Sequence, residues 1–180
     1  MDSILDFWFP NNNYQKWWFK STPEMDRKIY DTYYDVMYKQ YNNFNEGDYN
    51  YADPSVLIST IILFDQFSRN MARINMGKAS VAVINVDDFT RKARQLTNIW
   101  LKRQLYKTEP IKYTVFAYMP IRHMKKDDEI EQLAILLERM EIQDSNLKTD
   151  TIFNKFKSTT IRNLQSIDRS NLSIISNQKY

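Results

Sequence analysis

The scarcity of glycine and proline limits what this chain can fold into. Its 180 residues include only two glycines and five prolines, and tight turns and strand corners depend on these two residue types. We therefore expect helices rather than β-strands. With 43% hydrophobic residues, a chain of this length can bury about two-thirds of its unfolded surface, which fits one domain better than two.

Apolar side chains recur at intervals of three and four residues along most of the chain, which is the spacing of one face of an α-helix. Prolines or acidic residues mark the starts of these stretches, as at Asp53-Pro54. Asp128 and Glu131 match a capping box. The segment 79–86 is rich in β-branched residues and is predicted to be a loop or a short extended segment. The predicted helices cover 21–44, 54–73, 87–105, 108–119, 128–140 and 149–156.

These helices are joined by short connections and must bury their apolar faces against one another. We expect an all-α fold of about six to eight helices packed as antiparallel hairpins. No repeat with a fixed period is present, so the spacing leaves both a globular bundle and a superhelix of stacked hairpins open. A single domain is predicted over 1–165, followed over 166–180 by a polar, weakly basic tail that frays.

A dense polar set interrupts the apolar second helix. Asp65, Arg69 and Arg73 are spaced by four residues, and Gln66 and Asn70 form a second pair with the same spacing. If these groups are buried they must satisfy one another, so we favour a clamp between helices. The alternative is that the two arginines offer their forked guanidinium groups to a carboxylate or a phosphate.

His123 is the only histidine, and the chain contains no cysteine. It follows Pro120, where we expect a helix to end, and a lone histidine at such a place most often makes a structural hydrogen bond. The sharper hypothesis makes His123 a general base that is oriented by Asp65 or Asp128. Because no nucleophile motif accompanies it, catalysis is not expected, and neither is a metal or another cofactor.

The two ends of the chain have biased compositions. Between 151 and 180, five basic residues face one acid, and such an end is usually solvated. The N-terminal aromatic residues are expected to pin the terminal segment to the body of the fold. Stacking of bases on them is the minor alternative, and nucleic acid is not an expected partner. These aromatic residues are Phe7, Trp8, Phe9, Tyr14, Trp17, Trp18 and Phe19.

The start of the chain does not read as a signal peptide, because it has an acid at position 2 and only a short apolar run. The longest apolar run, Val56–Phe64, is about half the length that crosses a bilayer. We therefore expect an intracellular, cytoplasmic protein without membrane contact.

Several segments, taken in order along the chain, resemble the family known as domain of unknown function 924. The central Asp-Gln-Phe-x-Arg-Asn segment at 65–70, followed by Arg73, is the most specific part of this resemblance. The other matching segments are 4–9, 18–19 with 25–26, 119–123 and 162–163. The resemblance implies a tetratricopeptide-like superhelix, and it implies no activity, because none is established for the family.

The chain departs from the usual pattern of this family at several places, one of which is a longer spacing between His123 and Gln132. Ser68 stands where proline is common, Ile74 where a glycine often follows the arginine, and Met124-Lys125 where Ser-Glu normally follows the histidine. Any activity that depended on the Ser-Glu pair would therefore lack its support in this chain.

We predict a non-enzymatic helical-repeat interaction module that binds a peptide terminus or a small anionic ligand. The alternative is a small-molecule hydrolase or transferase that uses His123 with Asp65 or Asp128 as acid and base. The residues predicted to bind the ligand are Asp65, Gln66, Arg69, Asn70, Arg73 and His123.

Overall fold

The computed structural model describes residues 3–10, 15–75 and 84–177, with side chains at all of these positions except 49, 75 and 167–177. Every regular element within these ranges is helical, which confirms the all-α class. None of the described helices is both long enough and apolar enough to cross a bilayer. The α-helices are α1 (Ile4–Trp8), α2 (Pro23–Asn42), α3 (Pro54–Ile62), α4 (Ser68–Asn75), α5 (Val86–Lys102), α6 (Ile111–Met124), α7 (Asp127–Gln143) and α8 (Thr151–Asn177).

Shorter helical turns connect these helices. A π-helical turn, Leu63–Phe67, joins α3 to α4 without a break in the helix. The 3-10 turns are Lys16–Trp18, Tyr49–Ala52, Leu105–Lys107 and Ser145–Lys148.

Contacts within the chain group residues 1–120 and 121–180 into two compact units. Each unit has buried apolar side chains of its own. The single domain that we predicted over 1–165 stays a prediction.

In the first unit, α3, the π-helical turn and α4 form one continuous central helix that is flanked by α2 and α5. Both neighbours run antiparallel to it. Arg73, near the end of α4, contacts Asp26 near the start of α2. Arg103, just after α5, contacts the carbonyl of Ala52, just before α3. Every residue from 60 to 68 is buried, as expected for the helix at the centre of this unit.

The starts of the central helix and α2 follow local signals in the sequence. Asp53 accepts a hydrogen bond from the backbone N–H of Ser55 at 2.8 Å, and Pro54 is the first helical residue. Thr22 precedes Pro23 in the same way and caps the start of α2. Each of these caps satisfies a backbone donor that the helix itself leaves without a partner.

The capping box predicted at Asp128 and Glu131 is wrong. α7 begins at Asp127, after Lys126, and no side chain makes a capping hydrogen bond there. Lys125 adopts a left-handed φ of 53°, which turns the chain between α6 and α7 and places Asp128 inside the first helical turn. In that position its charge still interacts favourably with the N-terminal end of the helix dipole.

Helix α6 continues through Pro120, where we predicted that a helix would end. A proline inside a helix lacks the backbone N–H and crowds the carbonyl four residues earlier. Thr97, on α5, donates its hydroxyl to the carbonyl of Ala117 at 2.8 Å, so the weakened stretch gains a hydrogen bond from a neighbouring helix. The helix reaches Met124 and includes His123.

Most of the described aromatic residues near the N-terminus pack within the first unit, as predicted, whereas Phe19 is 40% exposed. Trp8, Phe9 and Trp18 are buried. Phe116, on α6, contacts all three rings, with centroids 5.3, 5.5 and 5.4 Å away. The indole N–H of Trp18 donates to the carbonyl of Trp8 at 2.7 Å. Tyr14 lies outside the described residues.

The segment predicted as a loop at 79–86 lies mostly outside the described residues. Its end is described, because Val86 is the first residue of α5. The side chain of Asn85 accepts a hydrogen bond from the N–H of Asp88 at 3.2 Å. The helix therefore starts one residue before Asp87, whereas we predicted a start at Asp87 or Asp88.

In the second unit, α7 and α8 pack antiparallel, and Lys157 forms an ion pair with Glu141 at 2.9 Å. α8 runs to Asn177, well past 156, where we predicted that the helical signal ends. Thr160 is fully buried and donates its hydroxyl to the carbonyl of Phe156 at 2.9 Å. A threonine at a core position weakens the apolar pattern but leaves the helix intact. The fraying predicted from 166 stays a prediction.

Candidate functional site

The predicted polar set lies where the central helix widens into its π-helical turn. This turn contains Asp65 and Gln66, and all five of its residues are buried. The hydroxyl of Ser68 donates to the carbonyl of Phe64 at 2.5 Å, so a backbone acceptor in the widened turn has a partner. Turns of this type are rare, and many occur at functional sites.

Asp65 is the centre of the first of two polar clusters, which we call the Asp65 cluster. Its fully buried carboxylate accepts hydrogen bonds from Gln66 Nε2 at 2.6 Å and from Arg69 Nε at 3.3 Å. Arg69 Nη2 also donates to the hydroxyl of Thr90, on α5, at 2.8 Å. That hydroxyl lies 2.9 Å from the carbonyl of Val86, to which it donates. The cluster therefore satisfies a buried charge and ties the π-helical turn to the first turns of α5.

Asp26, in the first turn of α2, is the centre of the second group, the Asp26 cluster. Arg73 binds it through two hydrogen bonds, Nε to Oδ2 and Nη2 to Oδ1, both 2.8 Å long. Asn70 Nδ2 donates to Oδ1 at 2.9 Å, and the hydroxyl of Ser21 donates to the same oxygen at 2.7 Å. Only 5% of Asp26 is exposed. Its carboxylate is thus nearly saturated with donors from α4 and from the segment before α2.

The set that the sequence suggested is therefore divided between two carboxylates. Asp65 pairs with Arg69 as predicted, whereas Arg73 pairs with Asp26, which we did not predict as a site residue. A signal for Asp26 exists in the sequence, because it shares the buried stripe of α2 with Ile29 and Tyr33 at spacings of three and seven. An acidic residue in an apolar stripe needs a partner. Acidic residues are also common in the first turn of a helix, so the position of Asp26 has a second explanation that requires no partner.

His123 and Asp128 belong to the second unit. His123 lies on the last turn of α6 and is half-buried, whereas Asp128 lies in the first turn of α7 and is exposed. Asp65, in the first unit, has no surface in contact with solvent. The acid–base hypothesis for His123 therefore stays a hypothesis. Among the described residues, no group of three or more His, Asp or Glu side chains could hold a metal ion.

An open pocket of about 490 Å³ lies beside the Asp26 cluster, and we call it the Arg73 pocket. Arg73 keeps 44% of its side chain exposed, and its two bonds to Asp26 use only two of its five N–H donors. Its guanidinium is thus fixed in place and still has donors for a ligand. The pocket is lined by Ser21, Pro23, Asp26, Arg27, Arg73 and Ile74.

The comparison with family models gives a match that covers almost the whole chain. A model for bacterial proteins of unknown function, DUF924, matches residues 4–176. The chain belongs to this family. The DUF924 match includes both polar clusters and confirms the resemblance inferred from the motifs. No curated protein and no solved structure gave a significant match. The DUF924 description names no activity.

Proposed function

We propose that this chain is a non-enzymatic helical module that binds a peptide terminus or a small anionic group in the Arg73 pocket. The main support for this proposal is that Arg73 is both held in place and exposed to solvent. Its guanidinium is oriented by a two-bond pair with Asp26, while 44% of the side chain stays exposed at the pocket. An arginine held in this way loses little further freedom on binding an anion, which favours affinity.

The charge of the pocket favours a ligand with a single negative charge. Arg27 and Arg73 line it together with Asp26, so the charges of the lining residues sum to +1, which the pair of Arg27 with Asp31 partly offsets. Arg27 is 58% exposed and pairs with Asp31, on the same face of α2. A carboxylate matches both the forked geometry of a guanidinium and this charge, whereas a phosphate dianion exceeds it.

Two apolar side chains give the pocket a second kind of contact. Pro23 and Ile74 line it next to the arginines. A carboxylate joined to an apolar side chain would use both surfaces, and the C-terminal residue of a peptide has this combination. We therefore favour a peptide terminus over an inorganic anion.

Binding can be tested by calorimetry with two peptides that differ only in the terminal group. The first is N-acetylated Gly-Ala-Leu with a free carboxylate, and the second is the same peptide with a C-terminal amide. We expect heat of binding from the carboxylate form alone. Binding of neither peptide at millimolar concentration, or equal binding of both, would overturn the proposal.

Arg27→Gln is the informative variant, because it removes a cation of the pocket and leaves the pair between Arg73 and Asp26 intact. We expect it to weaken binding about fivefold, or ~1 kcal/mol. Arg91→Gln is the matched control, since Arg91 is exposed to the same degree, 59%, and also pairs with an aspartate on its own helix. The control should bind like the unmodified chain.

The predictions of helical-repeat character and of cellular location rest on the sequence alone. The helical-repeat character rests on the family resemblance, and the cytoplasmic location stays a proposal. No specific observation in the structure favours the acid–base alternative with His123 over binding. Oxidation, reduction and cofactor use play no part in the proposed function.

A further inference from the structure

A second pocket, of about 480 Å³, lies in the crevice between the C-terminal half of α2 and the start of α3. We call it the Lys39 pocket. The 3-10 turn Tyr49–Ala52 and Asp48 close it on one side. Lys39 lies roughly 20 Å further along α2 than Asp26, so this pocket is separate from the Arg73 pocket. Its volume is within the range of small-molecule sites.

The Lys39 pocket presents one charge of each sign. Lys39, an exposed residue of α2, contributes an ammonium group, and Asp48, just before the 3-10 turn, contributes a carboxylate. Within the described part of the chain, neither enters an ion pair. One oxygen of Asp48 accepts the backbone N–H of Asn50 at 2.9 Å, and the carboxylate keeps further acceptor capacity for a ligand. A ligand that carries both an anionic and a cationic group would satisfy both residues.

The remaining walls are apolar or neutral. Val36 and Val56 line the pocket from α2 and α3, and Val56 is 37% exposed. The half-buried Tyr51 also lines the pocket. Burial, together with the charge of Asp48, raises the pKa of its hydroxyl. Tyr51 therefore remains a hydrogen-bond donor at neutral pH. Two valines and a phenol ring leave room for a short aliphatic side chain.

The turn that carries Asp48 and Tyr51 is held in place from outside the pocket. Arg103 donates to the carbonyls of Tyr51 and Ala52, both at 2.8 Å. The N–H of Tyr51 donates to the carbonyl of Asp48 at 3.1 Å. Asp48 and Tyr51 thus sit on a preorganised turn, which lowers the cost of ordering them around a ligand.

We propose that the Lys39 pocket binds a free α-amino acid with a small aliphatic side chain. Its ammonium group lies against Asp48, its carboxylate against Lys39, and its side chain between Val36 and Val56. This site does not depend on the function proposed for the Arg73 pocket. Three amide side chains at the rim, Gln40, Asn43 and Asn50, provide further donors and acceptors.

The test is an NMR titration of the full chain with three probes, L-valine, N-acetyl-L-valine and L-valinamide. We expect the backbone signals of Asn43, Asn50 and Tyr51 to shift with L-valine, and to shift about tenfold less at equal concentration with either probe that lacks one charge. Signals of Ser21 and Arg73 report on the Arg73 pocket, so binding of N-acetyl-L-valine there is recognised separately.

Two variants address the charges one at a time. Lys39→Gln should abolish the advantage of L-valine over L-valinamide, and Asp48→Asn should abolish its advantage over N-acetyl-L-valine. Asparagine also caps turns, so Asp48→Asn keeps the hydrogen bond to Asn50. Lys148→Gln, at an exposed lysine of the second unit, is the control and should change nothing. Absence of any shift at 10 mM L-valine, or equal shifts with all three probes, overturns the proposal.

Discussion

Arg73 and Asp26 are joined by two hydrogen bonds of 2.8 Å across 47 residues of sequence. The pair fastens the end of α4 to the start of α2 and places the exposed side of the guanidinium at a pocket. Because Asp26 is buried and Arg73 is only half-buried, the same pair serves both the fold and the proposed binding of an anion.

Asp26→Asn should destabilise the first unit. It leaves Arg73 without its anionic partner and replaces an oxygen acceptor by an amide donor that faces Asn70 and Ser21. Solvent around Arg73 reduces the cost to about 2 kcal/mol, below the roughly 3–5 kcal/mol of a fully buried pair. Urea unfolding, monitored by circular dichroism, measures this loss of unfolding free energy.

Asp31→Asn is the matched control for this change. Asp31 pairs with Arg27 on the same helix, but both side chains are more than half exposed, so the expected loss is about 0.5 kcal/mol or less. Equal loss in the two variants would show that burial of Asp26 adds nothing to its pair with Arg73.

Ser68→Ala tests the hydrogen bond that supports the π-helical turn. Removing the hydroxyl leaves the buried carbonyl of Phe64 without that donor, and we expect a loss of about 1 kcal/mol in unfolding free energy. Ser59→Ala removes a bond of the same type, 2.7 Å long, to the carbonyl of Ser55 in a more exposed α-helical turn. There the better helix propensity of alanine should offset the loss. A larger loss at Ser59 than at Ser68 would contradict this role of the hydroxyl.

Hydrogen bonds between residues that are close in sequence can be predicted from the sequence, whereas those between helices cannot. Caps such as Asp53 and Thr22 were predictable because the groups that bond are adjacent in sequence. The partner of Arg73 was not, because the contact spans two helices. The π-helical turn is not predictable either, because a spacing of four between Asp65, Arg69 and Arg73 is typical of a regular α-helix. An extra residue in a turn offsets the faces on its two sides by about 100°, and Asp65 and Arg73 accordingly contact α5 and α2.

Sequence rules for helix ends gave wrong results at two further places, the start of α7 and the end of the helix predicted over 149–156. The acidic run after Lys126 imitates a capping box, but the left-handed backbone at Lys125 starts α7 earlier. At Thr160 a polar residue interrupts the apolar pattern, so the sequence does not predict that the helix continues. The buried hydroxyl donates to the carbonyl of Phe156, which allows the threonine to occupy a core position. At Lys125 the backbone conformation decides, and at Thr160 a hydrogen bond from the side chain to a backbone carbonyl decides. Residue type alone specifies neither.

Alkaline pH should destabilise the first unit through Tyr118. Burial raises the pKa of its hydroxyl well above the usual value of 10, with a smaller contribution from Tyr106. The unfolded chain therefore releases this proton at a lower pH than the folded chain, so the contribution of Tyr118 to stability is constant well below pH 10 and is lost as the pH rises above it.

Tyr118→Phe removes this ionisable group and should flatten the fall in melting temperature between pH 10 and 11. At pH 7 it should cost little, because the hydroxyl is buried and has no hydrogen-bond partner among the described residues. Val115→Ala, one turn earlier on the same helix, serves as a control that lowers stability equally at both pH values. An unchanged pH profile in Tyr118→Phe would assign the alkaline loss to other tyrosines.

The Nε–H resonance of Arg73 offers the most direct measurement of the central claim, that this guanidinium binds a carboxylate while it remains paired with Asp26. In a titration of the full chain with N-acetylated Gly-Ala-Leu, the resonance should shift and saturate, and the C-terminal amide should leave it in place. Saturable binding of the carboxylate peptide that leaves the Arg73 resonance unmoved would contradict the account.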